Sequence, residues 1–119
     1  MIDKFIVDGH CDSLINFVEN ERTLNDPSEG GQWDLQRARQ SGVALQFLAA
    51  FIQTKYKPNR SLQRGLQLIE GAHCFIEKHP EHVFLVQTKN DLQRLPDTTR
   101  LGILLSVEGG EILGEDLFM

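Results

Sequence analysis

Residues 43–52, Val-Ala-Leu-Gln-Phe-Leu-Ala-Ala-Phe-Ile, form an almost unbroken apolar run of strand length. A strand with one wet face alternates apolar and polar residues, whereas a run apolar throughout needs cover on both faces, the situation of a parallel sheet flanked by helices. Three more β-compatible stretches, over residues 4–9, 83–86 and 101–107, are separated by helical patterns. That alternation is the signature of stacked β/α units. The longest helix is expected over Ser61–Lys78, where Leu62, Leu66, Ile69, Ala72 and Ile76 recur at spacings of three and four. Ser61 is its expected N-cap, and Pro80 lies past its end. Shorter helices are expected over residues 34–40, ending at Ser41-Gly42, and over 89–95. Residues 19–32, polar and glycine-containing, read as a loop near the mouth of any site; residues 56–59 read as a surface turn. After Gly110 a further helix is expected to begin. With no linker or internal repeat, residues 1–119 read as part of one domain.

The first strand runs directly into His10-Cys11-Asp12. In extended backbone, side chains at i and i+2 share a face, so His10 and Asp12 can reach one point while Cys11 turns away. Imidazole nitrogen and carboxylate oxygen are both good ligands for zinc and similar divalent ions. The triplet alone also fits a histidine satisfied by a neighbouring carboxylate. The strand over 101–107 in turn ends at Glu108, followed by Gly109-Gly110. Functional groups in parallel α/β sheets come from the carboxyl ends of strands, so His10, Asp12 and Glu108 are expected to converge, able to sit about 2.0 to 2.2 Å from a zinc ion. Gln46, which interrupts the long apolar run, reads as a buried amide with satisfied hydrogen bonds. His73 and Cys74 diverge by about 100° on a helix and read as ordinary helical residues.

Three blocks carry a resemblance: Asp8 through Leu14, Asp34 through Phe47, and Val107-Glu108-Gly109-Gly110. In order and approximate spacing they resemble the opening of the membrane (renal) dipeptidase family, zinc metallopeptidases of the amidohydrolase superfamily. The resemblance implies the amino-terminal portion, about four β/α units, of a (β/α)₈ TIM-type barrel. It implies two zinc ions, with His10 and Asp12 on one and Glu108 bridging both. It implies a dipeptide substrate, whose peptide bond is hydrolysed by a metal-activated water, and no catalytic residue in this chain separate from the metal ligands. The sequence departs from the family pattern at Cys11, where relatives usually have Asn, and at Leu48, where they usually have Trp. The first departure leaves the metal pair intact; the second bears on the shape of the substrate pocket. His73, His79 and His82 match none of the family's further metal-binding histidines. Those, with its substrate-binding arginine and later aspartate, are expected beyond Met119.

Length agrees, because a complete barrel needs about 250 residues and this chain has 119. The formal net charge is −5 and the Lys and Arg residues are scattered, which speaks against a nucleic-acid partner. No apolar run is long enough to cross a membrane, and the amino terminus lacks a signal-peptide pattern. Two cysteines give no disulfide framework, so a reducing cytoplasm is expected. Two other functions are open: an amidohydrolase-type metal site acting on a cyclic amide or ester, or a half-barrel kept as a non-catalytic interaction module. The triplet speaks against the former, whose members more often resemble His-x-His at this strand. A piece of a barrel has open strand edges, so a homo-oligomer or association with the rest of the barrel is expected.

Overall fold

The computed structural model describes residues 5–114. Four parallel strands, β1 (Ile6–Asp8), β2 (Val43–Phe51), β3 (Val83–Leu85) and β4 (Leu101–Glu108), form one sheet in the order β1-β2-β4-β3. The helices are α1 (Leu14–Val18), α2 (Leu35–Gln40), α3 (Ser61–Lys78) and α4 (Lys89–Arg94). Winding strictly in sequence would seat β3 between β2 and β4. Instead the two long apolar strands pair directly, from Leu45↔Gly102 to Phe51↔Glu108, and β3 lies outside, matched only to Leu101–Ile103. Among the described residues, no helix is long and apolar enough to cross a membrane.

Both faces of β2 are occupied, as its composition requires. On the helix side Leu48, Ala50 and Ile52 join Leu101 and Ile103 of β4 against Leu14, Leu35, Leu68, Ala72 and Phe75. Phe75 is fully buried and takes the edges of Phe17 and Trp33, with ring centroids 5.7 and 6.2 Å away. On the other face Leu45 packs with Phe84, Val86 and Leu95 in a smaller cluster. Gly102 has no Cβ because Leu95 and Val86 occupy that space. Leu48 therefore contributes packing on the helix side, and its departure from the family pattern is a change of core filling.

Several boundaries shift. Strand one was expected over 4–9 but runs Ile6–Asp8, with Lys4 outside the described residues. Ser61 is not the cap of α3: Arg60 stands at the N-cap, its carbonyl accepting from the Arg64 N–H at 2.9 Å, and the Ser61 hydroxyl is buried inside the first turn. The inward face of α3 is also rotated from the expected stripe. Leu62 and Leu66 are exposed, while Arg64, Gly65, Leu68, Gly71, Ala72 and Phe75 are buried. The reason lies in the neighbours. At Gly65 and Gly71 the helix admits Ile112 and Val18, which any Cβ there would meet, so the glycines turn inward and the leucines outward. Helix α1 follows the His10-Cys11-Asp12 segment as a short turn with no side-chain cap, too short for a periodic signal. Beyond Gly110 a 3-10 turn spans Glu111–Leu113, and residues 115–119, where the expected helix would continue, lie outside the described residues.

Candidate metal centre

His10 and Asp12 lie in the extended segment just past β1, and hydrogen bonds hold that segment in place. The Asp8 carboxylate accepts from the His10 backbone N–H at 3.1 Å, and the Cys11 carbonyl accepts from the Ala49 N–H of β2 at 2.9 Å. Cys11 faces away from the pair. It packs against the helix-side cluster, with Sγ 3.2 Å from Ser13 Oγ. Glu108 is the last residue of β4, and Gly109, at φ +80°, turns the chain away behind it.

These three side chains meet. His10 Nε2 is 3.1 Å from Asp12 Oδ2 and 3.2 Å from Glu108 Oε2. One ligand atom from each lies within 4.8 Å of the others, and no other such group of three exists among the described residues. All three are about half exposed, at 51%, 48% and 47% of side-chain area. The Asp12 carboxylate raises the His10 pKa above its ordinary value, through its hydrogen bond and its charge, with Glu108 and Asp8 adding to the effect. One imidazole nitrogen and two anionic carboxylate oxygens suit a divalent cation. The donor set fits zinc in kind, and the same Nε2 takes either a proton or a metal.

A cleft of about 620 Å³ opens beside the pair, walled by Arg22, Gly31, Gln32 and Trp33. The expected loop over 19–32 thus does reach the site mouth. Arg22, which sequence patterning did not single out, donates through Nη2 to the Trp33 carbonyl at 2.7 Å and lies against the bare Cα of Gly31. Only the adjacent glycines hinted at that close approach. Gln46 is fully buried, as expected, but only half satisfied. Its Nε2 donates to the Phe47 carbonyl at 3.2 Å, while Oε1 has no partner among the described residues. His73 and Cys74 form no joint site: His73 borders a groove by β3, and Cys74 lies near Glu70 one turn back. His79 packs against Phe75 with ring centroids 5.0 Å apart and the planes tilted at 56°.

A parallel α/β sheet with a nitrogen and two carboxylates gathered at its carboxyl rim is an arrangement able to hold a metal ion at the strand ends. The chain belongs to the membrane dipeptidase family, peptidase family M19, whose family model matches residues 1–119. A dipeptidase, ataJ, of Aspergillus terreus is 28% identical over 118 residues, covering 87% of this chain and 28% of that protein. Among solved structures, dipeptidase AC, an M19 metallopeptidase, superposes with a TM-score of 0.81 at 20% identity, over 95% of this chain and 37% of its own. A metallopeptidase from Rhodobacter sphaeroides, liganded with a phosphinate mimic of the dipeptide L-Ala-D-Ala, gives 0.82 at 17% identity, over 94% of this chain and 40% of its own. The parallel α/β fold is therefore that of part of a dipeptidase barrel, and the chain spans between a quarter and two-fifths of the proteins it matches.

Proposed function

We propose that this chain forms the amino-terminal part of a zinc-dependent dipeptidase and that His10, Asp12 and Glu108 are its metal ligands. The observation that carries the reading is the meeting of these three side chains at the sheet rim, in a chain of the M19 family. The finer assignment is two zinc ions, His10 and Asp12 on one and Glu108 shared between both, with residues 1–119 as one domain's first portion. A bound zinc supplies polarisation of a carbonyl and a water whose pKa falls to about 7. The chain's own residues do the holding. Asp8 and the Ala49 N–H orient the His10 segment, and Asp12 keeps the imidazole directed at Glu108. Arg22 and Trp33 wall the cleft in which a small zwitterion such as a dipeptide is to lie; the phosphinate dipeptide mimic held by the Rhodobacter relative supports that substrate class.

Three ligands shared between two ions leave each short of the usual four, so the 119-residue chain alone is expected to bind zinc weakly and turn over no dipeptide. The full-length protein is expected to hydrolyse simple dipeptides and lose the activity to a chelator. Dipeptide turnover unaffected by complete zinc removal would sink the reading.

A further inference from the structure

The turn behind Glu108 is fixed at three places. The first is the ladder, whose last pair sets Glu108 beside Phe51 of β2. The second is Lys57, in the loop after β2. Its Nζ lies 5.4 Å from the Phe51 ring centroid and donates to Glu111 Oε1 at 2.7 Å. The third is Ile112, buried with its side chain in the notch at Gly65 of α3. The other Glu111 oxygen folds back over Gly109, close to where a Cβ would stand, while the φ of +80° is what calls for glycine there. Lys57 and Glu111 are only partly shielded, at 27% and 40% of side-chain area. Ion pairs so placed add little to stability. What this one spans is more telling, because it ties the loop after β2 to the turn that follows Glu108 on the neighbouring β4.

We propose that Lys57 and Glu111 are positioning residues for Glu108, a latch that holds the Gly109-Gly110 turn to the end of β2 and so sets how the Glu108 carboxylate meets His10 and Asp12. The proposal rests on the reading of Glu108 as a metal ligand. Supporting residues around a metal site act through the geometry of the ligands, so loss of the latch is to appear first in metal affinity.

The test uses the full-length protein, with zinc affinity measured by competition against a chromophoric chelator and amide hydrogen exchange followed over residues 105–113 without metal. Lys57→Met and Glu111→Gln are each expected to weaken zinc binding about tenfold and to speed exchange at the turn, whereas Lys57→Arg keeps both within about threefold of wild type. The charge-reversed pair, Lys57→Glu with Glu111→Lys, is expected to recover most of the loss. Lys55→Met, two residues away on the surface, is to change neither readout. Unchanged zinc affinity in Lys57→Met and Glu111→Gln overturns the proposal, as does a loss in Lys57→Arg equal to that in Lys57→Met. A wild-type protein that takes up no zinc instead overturns the metal reading itself and is seen before any variant is compared.

Discussion

The middle of the sheet and its carboxyl rim are built on opposite terms. In the middle Leu48, Ile103, Leu68 and Phe75 are fully buried, and helix and sheet hold each other through contact area. At the rim His10, Asp12 and Glu108 stay half in water, because two carboxylates and an imidazole gathered at one point are costly to desolvate. Their geometry comes from a handful of directed bonds: Asp8 to the His10 N–H, Cys11 to the Ala49 N–H, Lys57 to Glu111. The same strands thus supply stability at one level and chemistry at another, so changes at one level should leave the other largely intact.

The strongest way to break that separation is at Glu108. In the full-length protein Glu108→Gln is expected to lower dipeptide turnover on the order of a thousandfold while moving the melting temperature of the metal-free protein by no more than about 2 °C. Turnover near wild type with zinc present would remove Glu108 from the metal centre, and a large drop in melting temperature would show that rim and middle are one unit. The reciprocal change is Phe75→Ala. It should cost about 3 to 5 kcal/mol in denaturant unfolding, since the ring is fully enclosed between Phe17 and Trp33. A cost near zero would mean that the helix side is loosely packed.

Acidity sharpens the comparison, because on the proposed reading a proton and a zinc ion compete for His10 Nε2. The hydrogen bond and charge of Asp12 raise the His10 pKa, so zinc affinity should fall as pH drops through that raised value, by up to about tenfold per pH unit. Metal-free protein has the opposite sign. Its protonated His10 contributes stability that is fully present below the unfolded value of about 6.5 and lost as pH rises through the folded value. Chelator competition and metal-free melting between pH 5.5 and 8.5 check both slopes; zinc affinity flat across that range would mean that His10 does not ligate. The smallest effect concerns the edge. Phe5, just before β1, and Ile6 and Val7 within it expose 57%, 38% and 53% of their surface, an apolar stretch on an edge strand that invites self-association. Val7→Lys is expected to shift the 119-residue chain toward monomer in sedimentation velocity, and an unchanged distribution would show that this edge is not the contact.

Much of the site was legible because its signals are local. His10 and Asp12 are two residues apart, so on a chain that continues the strand direction their shared face and the turning of Cys11 away from them into the core follow from chain geometry even though β1 itself stops at Asp8. Glu108 was legible for a related reason, since an apolar run followed by two glycines marks where a strand ends. Arg22, Lys57 and Glu111 carried no such mark. Each owes its place to a residue far along the chain or to a turn whose shape no spacing encodes.

By itself the sequence determined the element types, the two-sided burial of β2 and the chemistry available at the strand ends, because hydrophobic period and residue type act within a few residues. Only the tertiary structure decided the rest. Which face of α3 turns inward depended on where Ile112 and Val18 press against Gly65 and Gly71, so the stripe of leucines lost to a stripe of glycines, Leu68 and Phe75. That β4 pairs with β2, leaving β3 outside, depended on matching two long strands over seven positions, a gain that no single strand's sequence reveals. The three ligand atoms meet for the same reason: the Phe51↔Glu108 register is a contact between distant segments, and it brings the end of β4 to the height of His10.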